Sequence, residues 1–134
     1  MGVDQLILRD GPVCVWCGRE PWRRDLTAEH LLPRSRGGRT TQENLAVACR
    51  RCNRRRRSRP VSAYVRAQQE AGAELRFDLL AAALERLAGS GSAVHAEYAR
   101  RQLELLARIP GRPAGWVSPG PTDAGEAGPL ISAC

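Results

Sequence analysis

Four cysteines stand in two pairs, Cys14-Val-Trp-Cys17 and Cys49-Arg-Arg-Cys52, with 31 residues between them. Two C-x2-C units supply four thiolates, the number that closes a tetrahedral structural zinc site. The spacer exceeds the ~15–20 residues of an ordinary zinc ribbon, so a unit the size of a β-hairpin and loop must fit between the knuckles. A disulfide framework would need an oxidising compartment that nothing else in the sequence supports. A redox C-x2-C would account for one pair only. Structural Zn²⁺ held by Cys14, Cys17, Cys49 and Cys52 is therefore the expectation, with Cys134 left over as a free thiol. Between the pairs lies the stretch LTAEHLLPRSRGG, residues 26–38, in which Glu29 precedes one of only two histidines in the chain.

The elements that must carry these groups can be read in outline. Residues 3–9 suit a short helix stopped by Gly11-Pro12. Leu26 to Leu32 can form a strand that Pro33 stops, and Asn44 to Cys49 is a second short apolar run, with Gly37-Gly38 in the loop between them. RRCNRRRRSRP then suits a short arginine-faced helix ending before Pro60. The order is strand, loop, strand, helix, with one knuckle before the hairpin and the other at the start of the helix. A module of this size with few aromatics has little core of its own, so the metal should be a folding requirement.

Residues 61–109 have a different character. Val61, Tyr64, Val65 and Gln68 open one helical face. Leu75, Leu79, Leu80, Ala83, Leu84 and Leu87 recur at helical spacing up to Gly89, and Ser92 suits the N-cap of a third helix. These stripes read as packing surface. His95 lies in that third helix without a partner motif and is expected to face solvent. Residues 110–134 are dominated by Pro and Gly and read as a disordered tail.

The run C-x2-C…EH-x2-P-x3-GG…N-x4-C-x2-CN, spanning residues 14–53, resembles the HNH endonuclease family. It brings in Cys14, Cys17, Glu29, His30, Pro33, Gly37, Gly38, Asn44, Cys49, Cys52 and Asn53. The continuation resembles small actinobacterial or phage members. The resemblance implies an α+β chain: a ββα-metal (HNH) module with a four-cysteine zinc knuckle over residues 1–60, followed by a small helical extension over 61–109. It also implies hydrolysis of DNA phosphodiester bonds. His30 would be the general base, since a neutral imidazole can take a proton from water near pH 7. Glu29 and Asn53 would hold a hard divalent ion, Mg²⁺ or another such as Mn²⁺ or Ni²⁺, through oxygen. Asn44 would bond the loop backbone and fix the orientation of His30. Two departures stand out: the metal-binding position before the histidine is the longer Glu29 rather than aspartate, and the third signature residue is Asn53 rather than histidine. Neighbours in a regular strand also point to opposite faces, so the strand must bend or end at Glu29-His30 if both are to serve one site.

Charge points to the partner. All 21 basic residues are arginine, against 14 acids, for a net charge of +7. Residues 14–60 hold thirteen of those arginines and four acids, a local +9, which leaves about −2 for the rest. A basic patch on a weakly acidic chain suits a polyanion, here double-stranded DNA. Arg34, Arg36 and Arg39 in the loop and Arg54, Arg55, Arg56 and Arg57 on the helix are the candidate contacts. Successive helical residues turn by ~100°, so the four consecutive arginines cannot all face one way. Some should grip phosphates while others face solvent or the zinc cluster. Phosphate contacts carry no sequence information, so cleavage of low sequence specificity, or nicking, is expected. Trp16 and Trp22 are expected to cover the knuckle rather than stack on bases. The start, MGVDQLILRDGP, lacks a signal-peptide pattern, and no run reaches the ~18–20 apolar residues of a membrane span. An intracellular, cytoplasmic product of bacterial or phage origin, without a membrane partner, is expected. Homodimerisation stays open, and two rival readings remain: a non-catalytic zinc-ribbon DNA-binding or scaffold protein, and a nuclease subunit active only within a phage-packaging or defence complex.

Overall fold

A computed structural model describes residues 2–109, so the expectations for the tail and for Cys134 lie outside the described residues. Helix α1 (Val3–Asp10) comes first. Strand β1 (Leu26–His30) follows, then strand β2 (Leu45–Cys49), and β2 runs directly into helix α2 (Arg50–Arg56). Helices α3 (Val61–Glu70), α4 (Phe77–Ala88) and α5 (Ala93–Ala107) complete the described chain. This is the α+β arrangement of a two-stranded hairpin followed by a helix, with further helices after it.

The strands pair antiparallel, with Leu26 opposite Cys49, Glu29 opposite Ala46 and His30 opposite Leu45. Every residue of β2 is buried, because both faces of the hairpin are covered. Leu45 and Val47 share one apolar cluster with Leu26 and with Leu6 of α1. Ala46 and Ala48 turn the other way, into a larger cluster. That cluster runs from the knuckle residues Cys14, Trp16 and Cys52 through Val61, Tyr64 and Val65 to Leu80, Leu84 and Leu87 of α4 and Leu106 of α5. Alternation along β2 thus sends small residues toward the helices and large ones toward α1.

Two adjacent glycines shape the connection between the strands. Gly37 ends a 3-10 turn, Arg34–Arg36, in the left-handed region at φ 95°, a conformation that glycine adopts without steric cost. Gly38 donates its N–H to the Pro33 carbonyl at 3.0 Å. A Cβ on Gly38 would come within 1.8 Å of the Leu32 carbonyl oxygen. The backbone therefore folds back onto the end of β1 as no other residue would permit.

Capping follows the sequence. Ser92 Oγ accepts the His95 N–H at 3.3 Å to start α5. Cys49 Sγ accepts the Cys52 N–H at 3.4 Å to start α2. Arg57, the one non-glycine residue of positive φ among those described, ends α2 at φ 55°. No described helix is long and apolar enough to cross a membrane.

Candidate active site

The cysteine cage is the best-defined part of the site. The sulfurs of Cys14, Cys17, Cys49 and Cys52 lie within 4.8 Å of one another, and all four residues are buried. A tetrahedral zinc with Zn–S bonds of ~2.3 Å needs its sulfurs about 3.8 Å apart, so the arrangement fits the ion. Trp16, between the first two cysteines, is fully buried and packs edge-on against Tyr64 at 4.9 Å between ring centroids. It covers the knuckle as expected. Trp22 does not: it is 76 % exposed. It lies just before a 3-10 turn, Arg23–Asp25, that buries none of its own residues, so its neighbours offer it no core.

His30 is the last residue of β1 and is half-buried. Its Nε2 lies 2.9 Å from Thr40 Oγ1, on the far side of the loop. Partial burial, with the Arg34 guanidinium next in importance, holds the imidazole below its ordinary pKa of 6.5. The ring is therefore neutral near pH 7.

Asn44 is fully buried just before β2. Its side-chain oxygen accepts the Leu32 N–H at 2.9 Å. Its amide donates to the carbonyls of Leu32 at 3.1 Å and Arg39 at 2.9 Å. One side chain thus ties together both ends of the loop that leaves His30. A buried asparagine making three such bonds is a fixed strut, because releasing any of them would strand a polar group away from water.

Glu29, one residue earlier, points to the other face. It is only 5 % exposed. Its Oε2 accepts the Trp16 indole N–H at 3.1 Å, and its Oε1 lies 3.6 Å from Nη1 of Arg56. Burial dominates and raises its pKa to about 7, against the opposing pull of Arg56 and Trp16. Asn53 is half-buried in α2. It lies three residues before Arg56 and so on the same helical face. Strand alternation therefore persists at Glu29-His30. The carboxylate turns toward α2 and the imidazole toward the loop.

Arg56 connects the two. The sequence reading places it among the DNA-contacting arginines, but it is fully buried. Nη1 donates to the His30 carbonyl at 2.6 Å, Nη2 to the Leu31 carbonyl at 2.5 Å, and Nε to the Arg59 carbonyl at 2.5 Å. Its guanidinium carbon also stacks over the Trp16 ring at 5.2 Å. The physical reason is helical rotation: Arg56 falls on the face of α2 that meets β1, where strand-end carbonyls lack partners. Its companions Arg54, Arg55 and Arg57 are exposed, as are Arg34, Arg36 and Arg39 in the loop. Arg36 ties the loop to the end of α2, donating from Nε to the Ser58 carbonyl at 2.5 Å. Beside α2, Arg51, Arg54, Arg55, Arg57, Arg59 and Gln68 line an open groove of about 550 Å³.

His95 also departs from the expectation that it faces solvent. It is 1 % exposed, and its Nε2 accepts the Arg39 N–H at 3.0 Å. Trp16, Thr40, Arg56 and Tyr98 likewise serve this region in ways the motif does not announce.

The donor set around Glu29 can take a hard cation. A carboxylate has about four lone-pair positions, and Trp16 and Arg56 engage two of them. Access is narrow, and any divalent ion would share the carboxylate with a guanidinium.

No curated protein matches the chain. Among solved structures, the Type II-C Cas9 enzyme from Actinomyces naeslundii is similar, with a TM-score of 0.46 and 22 % identity over 81 % of this chain. The match covers 11 % of that enzyme's chain, so this protein spans about a tenth of its length. Residues 14–67, from the first knuckle cysteine into α3, match the model of a family described as HNH endonuclease. With its sulfur cage, its hairpin running into α2 and its histidine at the end of β1, this segment is where the chain is similar to the HNH endonuclease family.

Proposed function

We propose that the chain is a metal-dependent endonuclease that hydrolyses DNA phosphodiester bonds, with His30 as the general base. The observation that carries this reading is the state of His30. Its ring is partly open to solvent and kept neutral by burial and by neighbouring arginines. Its backbone is pinned by Arg56 at its own carbonyl and by Asn44 across the loop. A neutral, oriented imidazole can take a proton from an attacking water, and orientation is much of what a general base needs.

Glu29 and Asn53 are the residues that would hold a divalent ion such as Mg²⁺, Mn²⁺ or Ni²⁺; since Glu29 faces away from His30, serving the same phosphate requires its carboxylate to leave Trp16 and Arg56 and turn toward the imidazole. When bound, such an ion supplies Lewis-acid polarisation of the phosphate and stabilises the leaving oxygen. Exposed arginines of the loop and α2 would hold the flanking phosphates without reading bases. The substrate is then DNA of little sequence preference, cut in one strand or both.

One observation favours the scaffold reading. Glu29 is buried and already faces Arg56, an arrangement that also serves a carboxylate with a purely structural role. Incubating the zinc-loaded chain with supercoiled plasmid, with and without each divalent ion, separates the two. Nicked or linear product that requires the ion supports the nuclease. Retardation of the plasmid without any strand break under every ion supports the scaffold.

A further inference from the structure

Helix α5 lies outside the family-matched segment, yet it reaches the His30 loop at two points. His95 and Tyr98 are one turn apart on α5, so their side chains share a face. Tyr98 Oη donates to the Leu31 carbonyl at 3.0 Å and accepts the Val61 N–H at 3.0 Å. Arg56 Nη2 also approaches that hydroxyl, at 3.4 Å. His95 Nε2 accepts the Arg39 N–H at 3.0 Å. Leu31 is the residue after His30, and Arg39 is the residue before Thr40, whose hydroxyl contacts the His30 ring.

We propose that His95 and Tyr98 are positioning residues for His30, so that the helical extension completes the catalytic site rather than merely stabilising the chain; this rests on the nuclease reading above. Tyr98 fixes the backbone on which the imidazole is mounted. His95 fixes the backbone that carries the imidazole's hydrogen-bond partner. The two grips come from one rigid turn of helix, so they set the distance between mount and partner together.

The state of His95 supports a task of this kind. To accept the Arg39 N–H at Nε2, the ring must be neutral and carry its proton on Nδ1. That Nδ1 is buried and has no hydrogen-bond partner among the described residues. A buried unsatisfied donor is a cost, and an apolar residue would avoid it at this core position. Among the described residues, the one hydrogen bond of the His95 side chain is the one to the loop. Helix α5 is held in turn by packing against α4, with Ala99 and Leu106 in the main core, and by Gln102, whose Oε1 accepts the Ser62 N–H at 2.7 Å. The platform is thus held by packing that does not depend on the loop.

The test uses imidazole NMR on the full zinc-loaded chain. Only two histidines are present, so the spectrum holds one signal set for His30 and one for His95. Tyr98→Phe removes a single oxygen, and His95→Leu removes the loop acceptor. His95→Gln returns an acceptor at about the reach of Nε2. The proposal expects the His30 signals to shift and broaden in Tyr98→Phe and His95→Leu. It also expects kcat for plasmid cleavage to fall by about tenfold or more while KM changes by less than about twofold, and His95→Gln to recover most of the rate. Leu84→Ala, which weakens the same extension from within its core, should leave the His30 signals in place. His30 signals unmoved in Tyr98→Phe would overturn the proposal, and that variant decides the matter even where His95→Leu does not fold. A wild-type chain that cuts no DNA would sink the nuclease reading, yet the NMR result would still decide whether α5 positions His30.

Discussion

The hairpin module and the helical extension are held together by different physics. Around the module, the fixed points are polar: a sulfur cage, the three hydrogen bonds of Asn44 and the buried guanidinium of Arg56. The extension is held by leucine and alanine, with Leu80, Leu84 and Leu87 of α4 and Ala99 and Leu106 of α5 in one core. Directional bonds specify where a group points, and hydrophobic contact mostly specifies that it is buried. The chain therefore concentrates its directional interactions around His30 and its loop, and its apolar ones in the helical platform. Tyr98, His95 and Gln102 are the exceptions, polar groups on the apolar helix: the first two are turned toward the loop, and Gln102 accepts the Ser62 N–H of α3.

This contrast can be broken at its strongest point first. Cys49→Ser should abolish zinc binding and with it the folded state of residues 14–60, because the module's small core cannot replace metal-binding energy. Zinc content and amide NMR dispersion measure this, and a dispersed spectrum without zinc would refute the role given to the cage. Leu84→Ala should cost about 2–5 kcal/mol in chemical denaturation, as for other buried leucines, while zinc content stays unchanged. A cost below about 1 kcal/mol would mean that α4 packs loosely. Asn44→Ala should cost about 1–3 kcal/mol by stranding loop N–H and carbonyl groups. Its cleavage rate should fall more than this stability loss explains, since the loop across from His30 is released. Equal DNA affinity with an unchanged rate would show that Asn44 is only structural.

The smallest effect expected is on pH dependence. Burial, followed by the Arg34 charge, lowers the His30 pKa from 6.5. The neutral form then persists to lower pH, so the acid limb of kcat should fall below pH 6.5 at saturating divalent ion and confirmed zinc content. An acid limb above pH 6.5 would assign the titration to another group. Glu29 is the first suspect, since its pKa is raised to about 7.

Much of the module is legible from spacing. Two C-x2-C pairs with a long spacer require a hairpin between them, and EH-x2-P marks the end of the first strand. RRCNRRRR following a run that ends in cysteine marks the start of a helix. The glycine pair is legible only as a turn, because the near-contact at Gly38 depends on how the backbone doubles back. The inward turn of Arg56 is hidden for a different reason: a run of four identical residues carries no hydrophobic period to separate core from surface. Rotation alone implies that not all four face one way, without naming which. The burial of His95 escapes the sequence because its partner is a backbone N–H 56 residues away, and a lone helical histidine has no local pattern that announces such a contact.

The central claim is that His30 is a base held in place for DNA hydrolysis, and substitution at that one position tests it most directly. His30→Ala should retain zinc, fold and plasmid affinity within about twofold while losing divalent-dependent strand cleavage by at least about a hundredfold. Cleavage at an unchanged rate in His30→Ala, or binding without cleavage by the unmodified chain under every ion tried, would contradict it.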